Sequence, residues 1–120
     1  MAGGYTIAHS DDFERAGPKW GLARKSLGLS AFGMNVVDLE PGEKIPEHDE
    51  TDRDQEEVFV VLSGSPTVVI EGEGHATPTG TYVRLDPEPK RTVVNNGSEP
   101  ASVLIISAPT TSGYEPMDWA

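Results

Sequence analysis

Residues 41–64 read PGEKIPEHDETDRDQEEVFVVLSG. Pro41-Gly42 predicts a turn, because proline fixes φ and glycine accepts φ > 0. An acidic segment carrying His48 follows, and then the apolar run from Val58 to Leu62, which Ser63-Gly64 stops. Five bulky apolar residues between turn signals predict a buried strand and are too few for a helix of their own. Glu56 and Glu57 open that strand. Side chains alternate with period 2, so one of the two points the same way as Phe59 and Val61. A carboxylate turned into an apolar interior is costly unless it is paired or bound to a metal. The functional question starts at that carboxylate.

Outward from this stretch, strand signals dominate. Leu29–Leu39 alternates, with Phe32, Met34 and Val36 on one face and Val37 and Leu39 on the other. Pro66–Ile70 follows Gly64 across a hairpin signal. Residues 71–80, EGEGHATPTG, predict a loop carrying His75, read as a solvated histidine. Strands are expected at 81–85, 91–94 and 102–106, with turns at 86–90 and 95–97. On the N-terminal side, residues 1–12 predict a loose arm holding an exposed His9. Pro18 to Gly28 predicts a short helix, with proline in the first turn and glycine past the end. Trp20, Ala23, Arg24 and Leu27 would share a face that packs on the body. The organisation is an arm and short helix over 1–27, a β body over 28–108 and a polar tail over 109–120. Six to eight short strands without βαβ units make the chain all-β, a sandwich or barrel.

At 120 residues the chain is one domain, of a size that hides roughly 60 to 70% of its surface on folding. Twenty acidic residues against nine basic ones give a net charge of -11, with a pI near 4.5. Nucleic acid is excluded as a partner, since phosphate binding needs a basic face. An anionic membrane surface is excluded on the same ground. With no cysteine there is neither a disulfide nor a thiolate metal site. No apolar run reaches the ~18 residues of a membrane helix, and no leader pattern opens the chain, so the cytoplasm is expected.

The spacing in 41–64 resembles the first motif of the cupin superfamily: Gly, five residues, His-x-His, a short gap, Glu, six residues, Gly. Gly42, His48, Glu57 and Gly64 fall on it, with Glu50 at the second histidine position and a longer gap before Glu57. The second motif, Gly, five residues, Pro-x-Gly, two residues, His, three residues, Asn, is matched by Gly80 and Asn95. Asp86, Glu88 and Arg91 stand at its Pro, Gly and His positions. The resemblance implies a double-stranded β-helix barrel with a short N-terminal helical segment. It also implies a metal site at His48, Glu50, Glu57 and position 91.

Arg91 cannot ligate, since a guanidinium offers no lone pair. Three readings follow. One is an internal salt bridge without function, in which Arg91 pairs with Glu57 or Glu50 and replaces a metal's charge. The other two assign a function. In the first of these, the barrel carries no metal and binds a small polar or anionic molecule. His48 and Arg91 are then the catalytic candidates, and Glu57, Phe59 and Arg91 contact the ligand. In the second, His48, Glu50 and Glu57 hold a divalent ion (Mn, Fe, Ni or Zn) in a dioxygenase- or isomerase-like enzyme. Seven acidic residues crowd 47–57, but without the EF-hand glycine and glutamate spacing they predict a solvated loop. Strands apolar on both faces leave surplus outward surface, which predicts a homodimer.

Overall fold

Along the long strands of this protein the inward-facing residues change from polar at one end to apolar at the other. In the computed structural model, which describes residues 2–120, nine strands and one α-helix follow the chain. These are β1 (Arg15–Ala16), β2 (Trp20–Gly21), α1 (Ala23–Leu27), β3 (Gly33–Leu39) and β4 (Gln55–Ser63). Then come β5 (Thr67–Ile70), β6 (Glu73–Ala76), β7 (Tyr82–Leu85), β8 (Arg91–Val94) and β9 (Ala101–Pro109). A six-stranded antiparallel sheet has the order β1-β2-β3-β9-β4-β7, and a three-stranded one the order β6-β5-β8. The extended segment 43–50 adds itself to the free side of β8. Ile45 N donates to Val93 O, and His48 and Arg91 exchange backbone bonds of 3.0 and 2.8 Å.

The core lies between the sheets. Val37, Leu39, Phe59, Val61, Leu85 and Val103 come from the large sheet; Val68 and Val93 come from the small one, with Ile45 beside them. Fully burying each such side chain stabilises the fold by about 1.5–3 kcal/mol. Towards the other end the same inward faces carry Asn35 before Val37, Gln55 and Glu57 before Phe59, and Ile105 and Ser107 after Val103. Period-2 alternation keeps all of these facing one interior. The barrel therefore has a packed end and a polar, open end.

Three expectations change. The helix covers only Ala23–Leu27, ended by Gly28 in the left-handed region at φ 69°. Pro18 instead sits in the turn joining β1 to β2, and Trp20 pairs with Val37 as part of the large sheet. The N-terminal segment is thus partly built into the barrel wall. Residues 73–76 form a strand rather than a loop, joined to β5 by the two-residue turn Glu71-Gly72, both at positive φ. That strand is exposed along its whole length, so it carries no apolar alternation. His75 lies on it, and His9 is exposed near the N-terminus. Among the described residues, no helix is long and apolar enough to cross a membrane.

Candidate metal and ligand site

The open end of the barrel holds a cavity of about 540 Å³. His48 and Glu50 reach it from the segment beside β8, and Glu57 from the start of β4. Trp20, Phe32, Met34, Ile45 and Ile105 supply apolar wall, while Asn35, Gln55 and Ser107 add neutral polar groups.

His48 is oriented by the turn that precedes it. Its Nδ1 lies 2.9 Å from the Pro46 carbonyl, and a carbonyl only accepts, so Nδ1 carries a proton that it donates. Nε2 then faces two carboxylates, at 3.8 Å from Glu50 Oε2 and 3.8 Å from Glu57 Oε1. One ligating atom from each of the three residues lies within 4.8 Å of the others. The Glu57 side chain opposite Nε2 raises the His48 pKa above 6.5; burial opposes it, and the Pro46 bond and the charges of Glu57 and Glu50 add to it. At 3.8 Å that Glu57 influence is attraction between charges, since a hydrogen bond is shorter. Burial raises the Glu50 carboxyl, helped by the neighbouring Glu57 and opposed by His48, Arg91 and Arg53.

Arg91 lies behind Glu57, fully buried. Its Nη1 donates to the carbonyls of Pro87 (3.2 Å) and Pro89 (2.9 Å), and its Nη2 to that of Asp86 (2.6 Å). The turn 86–90 thus encloses the guanidinium. Its Nε faces Glu57 Oε1 at 3.5 Å, and neither atom has a hydrogen bond. Arg91 and Phe59 are not among the residues lining the cavity. Phe59 is fully buried in the core, and Arg91 reaches the cavity only through Glu57. Of the acidic run, Glu50 and Glu57 line the cavity, whereas Glu56 turns outward to Arg84 at 3.0 Å and Asp49 caps the turn at Thr51. Asn95, at the end of the second motif, is structural: its Nδ2 donates to the Leu39 and Glu99 carbonyls.

Several lining residues had weaker sequence signals. Gln55 shares the inward parity of Glu57 and was legible from alternation. Ser107 stands opposite Glu57 only through the β4–β9 register. Trp20 packs on the core and lines the cavity at once.

A family profile described as the cupin domain matches residues 35–107, more than half the chain: the protein belongs to the cupin superfamily. Solved structures agree. A cupin protein from Bacteroides fragilis superposes with a TM-score of 0.79 at 22% identity, over 97% of this chain and 92% of that one. A structure from Silicibacter pomeroyi described as a sugar phosphate isomerase of the cupin superfamily gives 0.66 at 26% identity, over 76% of this chain and 59% of that one. A predicted oxalate decarboxylase from Thermotoga maritima gives 0.70 at 15% identity, over 85% and 97%. No curated protein sequence matches the chain.

Proposed function

We propose that this cupin takes a small polar molecule into the cavity beside a divalent ion held by His48 Nε2, Glu50 and Glu57. The observation that carries this is the commitment of Nδ1 to Pro46, which leaves Nε2 facing two carboxylates, one with a buried oxygen that has no hydrogen bond. Metal-ligating histidines are held in this way by a partner on the second nitrogen. Bonds near 2.1 Å place neighbouring ligand atoms roughly 3 Å apart, so the observed 3.8 Å contacts need only a small contraction. One nitrogen and two oxygens suit Mn, Fe, Ni or Zn. Such an ion would supply polarisation of a ligand oxygen. Arg91 then acts as a positioning residue for Glu57 and does not contact the ligand. The likeness to a structure described as a sugar phosphate isomerase supports an isomerase-type activity over an oxygenase-type one.

The test is elemental analysis of untagged protein purified without chelator, followed by titration of the metal-free chain with Mn²⁺. One bound equivalent, lost in His48→Ala and Glu57→Gln, is expected. Folded protein that binds none of the four ions overturns the proposal. One observation favours a second, metal-free reading. A protonated His48, its pKa raised by the facing carboxylates, would together with Arg91 balance Glu50 and Glu57 without an ion.

A further inference from the structure

Of the five arginines, three face carboxylates. Arg15 meets Asp38 at 2.9 Å, Arg84 meets Glu56 and Asp86 at 3.0 and 2.6 Å, and Arg91 lies 3.5 Å from Glu57. The other two, Arg24 and Arg53, have no carboxylate within 4 Å among the described residues, and both line the cavity. Acidic residues outnumber basic ones by 20 to nine, so carboxylate partners are abundant over the rest of the surface. The two guanidiniums without a carboxylate partner both lie at the exposed rim of this cavity.

We infer that the cavity takes a ligand bearing an oxyanion, a carboxylate or a phosphate, and that Arg24 and Arg53 hold that end of it. Arg24, exposed on α1, gives one Nη1 bond to the Leu29 carbonyl at 3.0 Å, which steadies the side chain and leaves most of its five donors free. Arg53 lies in the turn 51–54 and makes no hydrogen bond among the described residues. A guanidinium fork matches the paired oxygens of either anion. Charges beyond a Debye length of about 8–10 Å are screened, so the opposition to an anion comes from the nearby carboxylates, Glu50 and Glu57 above all, which line the same cavity.

This inference rests on the reading of the cavity as a metal-bearing ligand site. With a divalent ion bound beside Glu50, Glu57 and Arg91, the inner end of the cavity carries a net single positive charge, which also favours an anion. The experiment follows Trp20 fluorescence in a Trp119→Phe background, with and without Mn²⁺. The probes are inorganic phosphate and malonate, and uncharged malonamide is the control. Saturable binding of at least one anion and none of malonamide is expected. The stronger of the two anions identifies the source of the oxyanion. Arg53→Ala, at an exposed side chain without bonds, should weaken that binding about tenfold, the loss of roughly 1.4 kcal/mol, and Arg53→Lys should weaken it less. No saturable response to either anion, or wild-type affinity in both Arg53→Ala and Arg24→Ala, overturns the inference. Stoichiometric Mn²⁺ without anion binding overturns this inference alone. Arginine-dependent anion binding in a chain that takes no metal supports it and removes the metal reading instead.

Discussion

Arg91 Nε stands 3.5 Å from Glu57 Oε1, both atoms are buried, and neither makes a hydrogen bond. The guanidinium occupies the position that the cupin motif gives to an imidazole, but three backbone carbonyls of the turn 86–90 hold it there. It fixes a charge behind the carboxylate, and the same Oε1 stands between Arg91 Nε and His48 Nε2, 3.8 Å away on its other side.

Removing one partner of a buried ion pair strands the other. Arg91→Ala should destabilise the protein by about 3–5 kcal/mol, read from urea denaturation. In a double-mutant cycle with Glu57→Gln, a coupling of about 1 kcal/mol or more is expected. Coupling near zero would show that the 3.5 Å approach carries no energy.

Metal should stabilise the fold through mass action. At an ion concentration about a hundred times Kd the gain is about 2.7 kcal/mol, seen as a rise in Tm that chelator reverses. His48→Ala should abolish the rise, and Glu50→Gln should reduce it. An equal rise in all three chains would place the ion elsewhere.

The pH dependence should differ in sign between metal-free and loaded protein. His48 has a raised pKa when folded, so its contribution to metal-free stability is fully present below its unfolded value of 6.5 and is lost as pH rises through the folded pKa. The raised Glu50 carboxyl acts in the same direction at lower pH, its stabilising effect being lost as pH rises from 4.5 through its folded pKa. Metal binding needs a deprotonated His48, so affinity should climb over the range in which metal-free stability falls. Thermal melts across pH, with His48→Gln as the control, measure both slopes. A control with unchanged slopes would assign them to other groups.

Two motif glycines should respond differently to alanine. Gly64 has φ 78°, and a Cβ there would meet the Pro100 oxygen at 2.6 Å and Ala101 Cα at 2.8 Å. Gly42 has φ 89° and open space around it. Gly42→Ala should cost about 1 kcal/mol from the backbone alone, and Gly64→Ala about 2 kcal/mol more, since overpacking adds 1–3. Equal losses in denaturation midpoint would show that the wall at Gly64 yields.

The outer face of the large sheet aligns Val36, Leu104, Val60 and Tyr82 across four strands, and Tyr82 is 72% exposed. We propose a homodimer through this face. Light scattering at micromolar concentration should give twice the chain mass, and Tyr82→Glu should return a monomer; wild-type monomer at that concentration sinks the proposal.

The barrel was legible in the sequence because alternation and turn chemistry are local. Val58–Leu62 between Pro41-Gly42 and Gly64 announced a buried strand, and the motif spacing placed His48 and Glu57 on one site. Strand β6 was not legible, because an exposed edge strand needs no apolar face. Trp20 read as helical from its i, i+3, i+4 neighbours, yet pairing with Val37 outweighed a five-residue helix's weak local preference. Only the tertiary structure decided what Arg91 does. The sequence shows a cation at a ligand position; the fold wraps three carbonyls round that cation and turns it from the cavity. Which arginines remain unpaired at the cavity likewise depends on contacts between residues far apart in the chain, such as Arg15 with Asp38 and Arg84 with Glu56. Period and spacing specify direction along a strand, but the partner across a barrel is set by register and by the packing of distant segments.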